Sequence, residues 1–553
     1  MLNPNASPMR RHALLILVCL AAFLPGIAAL PPIDRDEPRF AQASRQMVES
    51  GDPIDIRFQG ETRYKKPAGI YWLQAGAAKL SGLGADAPIW VYRLVSVFAG
   101  IVAVCATFAT GRRLFGKDAG FIAALALAGI FGLAFEARIA KTDATLLATA
   151  VLAQGALARI YLAARRDEAS PRSAFWLFWI AEGVSILIKG PILPALSALT
   201  AATLAILDRD RRWLRSLKPL RGLAVIVLIA APWIAAISAK AGWAFWHESV
   251  GNDMLGKVAG GQESHGFPPG YYVLSYSLML WPFGALALDG GFAMLRRFSA
   301  DPRLKFLFAW YVPWWIVCEV LPTKLPHYML PAYPALLLLM AWWLSTAKDE
   351  AGTPRPRWHT WMAMLARLGV VVVTLGLAAL AVGLPVYFRM FPVWGIPAAI
   401  AFLIAGWFGI GLSGSVPPLR RTGAMTVCSL VAIGLLAAKV LPAVDFIWPS
   451  RAIAEAFRTA ASCPDSRLVA AGYAEPSLVF LTSADTLLTD GANAAGRLIE
   501  RPCDIAAVTS EYDTAFRQTL ASVGRKAEPA GKVEAFNYSN GKPVSITLYR
   551  LAQ

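Results

Sequence analysis

Charged residues are scarce in this chain. Of its 553 residues, only 16% are Asp, Glu, Lys or Arg, whereas 56% are hydrophobic and the mean hydropathy is +0.49. A soluble protein of this length carries roughly 25% charged residues. The composition therefore excludes an ordinary soluble globular protein and predicts a protein that crosses the membrane many times.

Acidic residues are fewer than basic ones, which gives a formal net charge of +17. A basic excess is also typical of nucleic-acid-binding proteins, but here the basic residues cluster in short loops between apolar runs, as in inner-membrane proteins. About thirteen apolar runs have membrane-spanning length. They lie at 12–31, 88–111, 119–137, 143–164, 174–189, 191–207, 220–239, 270–294, 305–322, 328–346, 361–387, 393–413 and 423–445.

The alternate connections that carry basic residues all fall on one side of the membrane when the runs are followed in order. They extend from Arg112 and Arg113 to Arg420 and Arg421. We therefore predict a bacterial inner-membrane protein with a cytoplasmic N-terminus and a periplasmic C-terminus. The first run is also compatible with a signal peptide, and its removal would leave this sidedness unchanged.

Cysteine is also rare, with six residues and no zinc-ligand spacing. Four of them lie in or beside apolar runs and are interpreted as packing residues. Cys463 and Cys503 lie in the predicted external tail, where an oxidising compartment permits a disulfide. A disulfide and two free thiols both remain open for this pair.

Three regions lie outside the apolar runs, and the chain has no internal repeat or low-complexity segment. Loop 32–87 contains two amphipathic stretches that predict interfacial helices. The glycine-rich loop 240–270 predicts an irregular segment. The tail, 446–553, alternates predicted helices and strands and ends in a hairpin at Asn540-Gly541. We expect a transmembrane catalytic domain over 1–445 and a small periplasmic α/β domain over 446–553.

Polar side chains recur at the outer ends of the apolar runs. The candidates are Asp36, Glu37, Lys66, Asp143, Lys189, His265, Lys324, His327 and Tyr328. Lysine, histidine and tyrosine neutralise or hydrogen-bond a phosphate, and a carboxylate deprotonates an incoming hydroxyl. This combination predicts chemistry on a phosphate-linked substrate that is presented by the lipid.

Each of these residues also has a structural interpretation. Asp36 and Glu37 suit a helix N-terminus, and Asp143 suits the start of the fourth run. Lys66 and Lys189 are compatible with lysines that reach toward the membrane surface. His265 is compatible with an ordinary solvated histidine. Glu182 and Glu319 are interpreted as structural, with Glu182 expected to pair with Lys189.

Several of these residues form a pattern that resembles a known family. It consists of Asp36-Glu37-Pro38-Arg39-Phe40, Lys66-Pro67 with Tyr71-Trp72, Asp143, Lys189-Gly190-Pro191, His265 and Lys324-Leu325-Pro326-His327-Tyr328. The pattern resembles that of the bacterial GT-C glycosyltransferases of the aminoarabinose-transferase and protein-mannosyltransferase type. The resemblance covers most of the membrane region, and Gly472 to Leu478 resembles part of the external domain.

The resemblance implies a GT-C fold and transfer of a monosaccharide from a polyprenyl-phosphate carrier to an envelope acceptor such as lipid A. In that pattern Asp36 is the catalytic carboxylate of the first loop, Glu37 supports it, and Asp143 is the second acidic position. Lys66 and Tyr328 hold the carrier phosphate. The remaining candidates line the substrate site: Arg39, Lys189, His265, Lys324 and His327.

The chain departs from the family pattern at two places. Lys65 stands where many relatives have a glutamate that shares a metal with the loop histidine, and Gly266 to Pro268 follow His265 where some relatives place an arginine. We therefore expect no cofactor and no metal at His265. Because the carrier leaves as a monophosphate, we expect direct displacement with inversion at the anomeric carbon.

Three alternatives remain open. One is a membrane-anchored binding module that acts through the tail 446–553, for which deletion of the tail would abolish function and Asp36→Asn would have no effect. An enzyme of the same class that glycosylates a protein or another glycan fits the same residues. A flippase or transporter for lipid-linked sugars would place charged residues at the bilayer midplane, whereas here they gather at the outer ends.

Overall fold

A computed structural model describes residues 7–256, 266–346, 357–411 and 416–552. His265, one of the predicted site residues, lies outside the described residues. The hydrophobic part of the chain is a helical bundle. Its helices are Pro8–Phe23, Ile89–Phe115, Lys117–Gly129, Phe131–Glu136, Asp143–Arg165, Arg172–Lys189, Ile192–Leu207, Pro219–Ala241, Tyr271–Met279, Gly284–Arg297, Pro302–Val320, Tyr333–Thr346, Arg357–Tyr387, Gly395–Gly409 and Pro418–Leu435.

Among the described residues, six helical segments are long and apolar enough to cross a membrane. They are Ile89–Phe115, Asp143–Arg165, Arg212–Ala241, Pro326–Thr346, Arg357–Tyr387 and Pro418–Ala443. Two further helices, Tyr271–Met279 and Gly284–Arg297, pass the same test together but are bent by 118°. The chain is therefore a multi-pass membrane protein of mostly helical structure.

Two of the predicted runs, 119–137 and 270–294, are broken into two helices each. Ile130 has an extended backbone between the helices of the first run. The second run breaks around Pro282, which lacks the N–H that a continuing helix needs. The two breaks meet, because the Phe131 N–H donates a hydrogen bond of 2.9 Å to the Trp281 carbonyl. Irregular backbone is tolerated in a membrane when protein partners satisfy it in this way.

One end of the bundle is held by basic side chains from the predicted cytoplasmic loops. Arg11 donates to Asp118 at 2.7 Å, and Lys305 to Asp208 at 2.8 Å. Arg303 donates to the Leu114 carbonyl at 2.9 Å. These contacts bring the ends of five separate helices together, so the basic loops form a common surface.

The opposite end carries loop 32–87, whose two amphipathic stretches form the predicted helices, Asp36–Ser50 and Gly69–Leu80. A short hairpin, β1 (Arg57–Phe58) with β2 (Glu61–Thr62), lies between them. Acidic residues in the first turn suit the positive end of the Asp36–Ser50 helix. Gly51, at φ 69°, ends that helix in the left-handed conformation that glycine favours.

The described first part of loop 240–270, up to residue 256, is more regular than predicted. Trp243–Trp246 is a short helix, and His247–Leu255 continues it with π-helical hydrogen bonding. Phe245 holds this part in place, because its ring packs against Tyr64 and Trp233 with ring centroids 6.0 and 5.4 Å away. The glycine-rich part, 257–265, lies outside the described residues, so its predicted irregularity stays a prediction.

The tail contains a five-stranded sheet of order β4-β3-β5-β7-β6. Its strands are β3 (Leu468–Ala471), β4 (Leu487–Thr489), β5 (Ile505–Thr509), β6 (Ala527–Asn537) and β7 (Lys542–Leu551). The three strands β4, β3 and β5 are parallel, and β7 is antiparallel to both of its neighbours. Strands β3 and β5 are buried along their whole length, as expected for strands covered on both faces.

The helices of the tail cover the two faces of this sheet. Pro449–Ala460 packs on one face, and Gly491–Glu500 with Asp513–Ser522 packs on the other. Cys463 and Cys503 are joined in a disulfide bond with their Cα atoms 5.8 Å apart. The short helix Pro476–Leu481 lies at the edge that faces loop 32–87.

Loop 32–87 and the tail are connected by hydrogen bonds. The Asp34 carboxylate accepts from the Ser477 N–H at 2.9 Å and from the Ser477 hydroxyl at 2.6 Å. Arg45 donates to the Phe480 carbonyl at 2.8 Å, and Gln59 donates to the Thr486 carbonyl at 2.7 Å. Asp34, Arg45 and Gln59 therefore tie the tail to the first external loop.

Candidate active site

Asp36 and Glu37 are neighbours in the first turn of the Asp36–Ser50 helix, yet they face different surroundings. Asp36 is exposed, and its carboxylate has no hydrogen bond to any described residue. Glu37 is fully buried. The predicted pair of carboxylates is therefore divided into one accessible group and one structural group.

Glu37 forms an ion pair with Arg93 in the interior of the protein. The two Glu37 oxygens accept from Arg93 at 2.7 and 2.8 Å, and further bonds of 2.8 Å come from the backbone N–H groups of Ile33 and Ala140. Arg93 donates its remaining hydrogens to the carbonyls of Ile27, Leu30 and Pro31. Each polar group of the pair has a hydrogen-bond partner inside the protein. Glu37 therefore has no oxygen left for a substrate, which the predicted catalytic role would require.

Arg93 was not among the candidates from the sequence, although a lone arginine inside an apolar run is a signal that could have identified it. Its ion pair holds three segments in place at once. These are the helix that carries Asp36, the span Ile89–Phe115, and the turn before Asp143.

A second group of charges surrounds Asp143, at the start of the span Asp143–Arg165. Lys189 donates to its carboxylate at 2.5 Å, and the Lys141 ammonium lies 3.8 Å away. His327 lies between two carboxylates, with Nε2 3.6 Å from Asp143 and Nδ1 3.6 Å from Glu136. We call these five residues the Asp143 cluster: Glu136, Lys141, Asp143, Lys189 and His327.

Local structure places Lys189 at this cluster. Its helix ends there because Gly190 takes φ 68°, which a side chain would disfavour. The Lys189 ammonium also lies over the ring of Tyr328, 5.6 Å from the centroid. Lys189 therefore contacts both Asp143 and Tyr328, although the three residues come from distant parts of the chain.

The Asp143 cluster contains a donor set for a metal ion, since one oxygen each of Glu136 and Asp143 and a nitrogen of His327 lie within 4.8 Å of one another. Two ammonium groups already approach those carboxylates, since Lys141 lies 3.7 Å from Glu136 and Lys189 contacts Asp143. The lysines thus balance the two negative charges, so the residues present fit a divalent cation poorly.

Electrostatics keep the accessible carboxylate ionised. Asp36 reaches the surface, but the protein around it excludes much of the water and would by itself raise the pKa. The positive charges of Lys141, Arg63 and Arg39 outweigh this desolvation and lower the pKa of Asp36 below its usual value. Burial alone would lower the pKa of Lys141, but Glu136 and Asp143 outweigh it and raise the pKa. Asp36 is therefore an anion at neutral pH and Lys141 a cation.

The remaining predicted residues lie at different distances from the cluster. Arg39 is three residues after Asp36 on the same helix, and its charge acts on Asp36. Lys66 contacts the Asp253 carboxylate. Lys324, which was predicted to line the substrate site, is buried and donates to the carbonyl of Leu321 in its own turn, and it is not part of the Asp143 cluster.

The two glutamates interpreted as structural are both hydrogen-bonded inside the protein. Glu319 accepts from the N–H groups of Gly270 and Tyr272, at 2.8 and 3.1 Å. The sequence suggested that Glu182 pairs with Lys189. In the structure Glu182 instead accepts a hydrogen bond of 2.5 Å from the Ser197 hydroxyl. Glu136 and Asp253 were missed, because an acidic residue in an apolar run or a glycine-rich loop has no partner that the sequence reveals.

Comparison with known proteins agrees with the resemblance seen in the sequence. Residues 65–235 match the family described as dolichyl-phosphate-mannose-protein mannosyltransferase. An undecaprenyl phosphate-α-4-amino-4-deoxy-L-arabinose arabinosyl transferase of Pseudomonas paraeruginosa is 28% identical over 422 residues, which are 73% of this chain and 71% of the relative. One from Proteus mirabilis is 26% identical over 62% of this chain and 60% of its own length.

Solved structures show the fold. ArnT from Cupriavidus metallidurans bound to undecaprenyl phosphate aligns with a TM-score of 0.74 and 19% identity, covering 97% of both chains. The archaeal oligosaccharyltransferase AglB from Archaeoglobus fulgidus aligns with a TM-score of 0.54 and 11% identity, covering 91% of this chain and 69% of that one. The comparisons confirm the resemblance seen in the sequence: the chain is similar to aminoarabinose transferases and has the GT-C fold of these solved structures.

Proposed function

We propose that this protein is an inner-membrane glycosyltransferase that moves a monosaccharide from an undecaprenyl-phosphate carrier to an envelope acceptor on the periplasmic face. The observation that carries the proposal is the Asp143 cluster beside the accessible Asp36. It combines cations for a phosphate with a free carboxylate for an acceptor. The names of the curated relatives support the carrier and the type of transfer.

The roles of the residues follow from their contacts. Asp36 has no hydrogen-bond partner among the described residues and stays ionised, so it takes a proton from an acceptor hydroxyl or positions an acceptor phosphate that is already ionised. Lys66, Lys189 and Tyr328 bind the carrier phosphate as it leaves. Asp143 holds Lys189 in place. Attack from the face opposite the leaving phosphate gives inversion.

The carrier leaves as a monophosphate, whose charge two or three lysines balance. We therefore propose that transfer needs no divalent metal. The composition of the Asp143 cluster supports this, because Lys141 and Lys189 already approach its carboxylates.

The proposed topology has about thirteen spans, a cytoplasmic N-terminus and a periplasmic domain over 446–553. The basic loops meet at one end of the bundle, and Asp36 and the Asp143 cluster lie at the opposite end. This separation supports the proposed topology. That arrangement puts the reaction at the outer membrane surface, where the carrier presents its sugar.

Lipid A is the proposed acceptor, in keeping with the relatives that transfer aminoarabinose. A protein acceptor is the second candidate, and the match of residues 65–235 to the protein mannosyltransferase family favours it. The two candidates share the donor chemistry and differ only in what approaches Asp36.

The test is mass spectrometry of lipid A and of envelope glycoproteins from cells with and without the gene. We expect one sugar to disappear from lipid A in the deletion strain and to return with the wild-type gene but not with Asp36→Asn. Unchanged lipid A together with an altered glycoprotein would show that the acceptor is a protein and not lipid A. Unchanged glycans in every fraction would overturn it.

A further inference from the structure

Asp253 is a carboxylate that the mechanism above does not use. It lies in the π-helical segment His247–Leu255 and contacts the Lys66 ammonium, and both side chains are mostly buried, with 13% and 17% of their surfaces exposed. The two residues are separated by 187 positions in the chain. The contact therefore joins the first external loop to the second.

This contact occupies the group that is proposed to bind the carrier phosphate. Asp253 also acts electrostatically on the hydroxyl of Tyr328, another of the proposed phosphate ligands. A carboxylate and a phosphate present the same chemistry to an ammonium group, namely anionic oxygens that accept charge-assisted hydrogen bonds. The Lys66 ammonium has three hydrogens, and it also donates to the Lys65 carbonyl at 3.2 Å, so a phosphate and the Asp253 carboxylate compete for its remaining charge and hydrogens.

The segment that carries Asp253 is suited to a change of position. A π-helix has poorer hydrogen-bond geometry than an α-helix and occurs in short stretches at functional sites. Its own side-chain bond, from Asn252 to Glu248 at 2.8 Å, is exposed and contributes little stability. No described side chain of this segment is fully buried, so Asp253 can leave Lys66 without breaking a buried core.

We propose that Asp253 holds the place of the carrier phosphate on Lys66 in the free protein and competes with it during the reaction cycle. This inference rests on the proposed function. Donor binding displaces the carboxylate, and after transfer the carboxylate returns to Lys66 and promotes release of the polyprenyl phosphate. Asp253 is therefore a residue that sets how tightly the carrier binds rather than a catalytic residue.

The test measures binding of undecaprenyl phosphate to the purified full-length protein in nanodiscs. We expect Asp253→Asn to bind it about tenfold more tightly than wild type, which corresponds to about 1.4 kcal/mol. Donor KM and kcat should both fall, because the phosphate binds better and the product leaves more slowly. Glu248→Gln, on the same segment but paired with Asn252, is the matched control and should bind like wild type.

A double-mutant cycle with Lys66→Met makes the test specific. If Asp253 acts through Lys66, Asp253→Asn should have no effect on binding once Lys66 is replaced. Equal or weaker binding by Asp253→Asn would overturn the inference, and weaker binding would make Asp253 a direct contact of the donor. Failure of wild type to bind undecaprenyl phosphate at all would instead contradict the proposed function.

Discussion

Two groups of buried charge lie close together in this protein, since Glu37 accepts a hydrogen bond from Ala140, the residue before Lys141, and they are built differently. The Glu37–Arg93 pair is closed, with Glu37 accepting four hydrogen bonds of 2.7 to 2.8 Å. The Asp143 cluster is open, since His327 is 3.6 Å from both carboxylates and one oxygen of Glu136 has no hydrogen-bond partner among the described residues.

This difference in hydrogen bonding distinguishes a charge with a structural role from a charge that can bind a ligand. A buried charge whose hydrogen-bonding capacity is used up holds segments together and has nothing left for a ligand. A cluster with long contacts and a free oxygen retains capacity that a substrate can take up. Glu37 belongs to the closed pair, whereas Asp36, adjacent to it in the sequence, is accessible and lies beside the open cluster.

The largest expected effect comes from opening the closed pair. Glu37→Gln leaves the charge of Arg93 buried and uncompensated, so we expect a loss of about 3–5 kcal/mol in stability. The thermal midpoint of the purified protein in detergent measures it. A midpoint equal to that of wild type would show that Glu37 does not hold the loops together.

Asp36→Asn is the matched change on the preceding residue, and it should separate activity from stability. We expect transfer to fall by a factor of about 10²–10⁴, the usual contribution of a general base, with the thermal midpoint unchanged. Sugar transfer to purified acceptor measures the first quantity. Full activity of the Asp36→Asn variant would remove Asp36 from the mechanism.

Within the open cluster, the two lysines should differ. Lys189 donates directly to Asp143 at 2.5 Å, whereas Lys141 lies 3.7 and 3.8 Å from its two carboxylates. We expect Lys189→Met to lower kcat/KM about 10- to 100-fold, as for loss of a hydrogen bond to a charged group, and Lys141→Met to lower it less. Equal losses for both variants would contradict the contacts described here.

The smallest expected effect concerns pH and the attachment of the tail. Burial, the largest cause, raises the pKa of Asp34 to about 7, although the hydrogen bonds from Ser477 lower it in part. The attached state therefore binds a proton that a detached Asp34, with its ordinary pKa of 3.8, releases. Attachment is strongest at low pH, weakens as the pH rises toward 7 and then levels off.

Hydrogen exchange in the helix Pro476–Leu481 between pH 5 and 8, corrected for the intrinsic exchange rate, measures this attachment. We expect protection to fall with rising pH in wild type and to be independent of pH in Asp34→Asn. The same slope in both proteins would show that another group governs the attachment.

Much of the architecture could be predicted from the sequence, because apolar length and basic loops act over whole segments. The helices and strands of the tail follow their predicted order from Pro449 to Leu551. The broken runs could not be predicted, since the peptide groups at Phe131 and Trp281 satisfy each other across 150 residues of chain.

The site was predictable by type of residue but not by arrangement. The sequence pointed to Asp36, Asp143 and Lys189, which carry charge at the ends of apolar runs. It could not show that Glu37 is enclosed by Arg93, nor that Lys324 turns back to its own backbone. These facts depend on which distant side chain is nearest, and one sequence does not contain that information.

The bonds from Asp34, Arg45 and Gln59 to the tail have a practical consequence. All three residues belong to the loop that carries Asp36. Arg45 lies in the Asp36–Ser50 helix, and Asp34 lies two residues before it. A chain shortened at residue 446 would lose these partners and release that helix from one of its supports. Deleting the tail is thus also a mutation of the active site, and an inactive truncation would say nothing by itself about what the tail recognises.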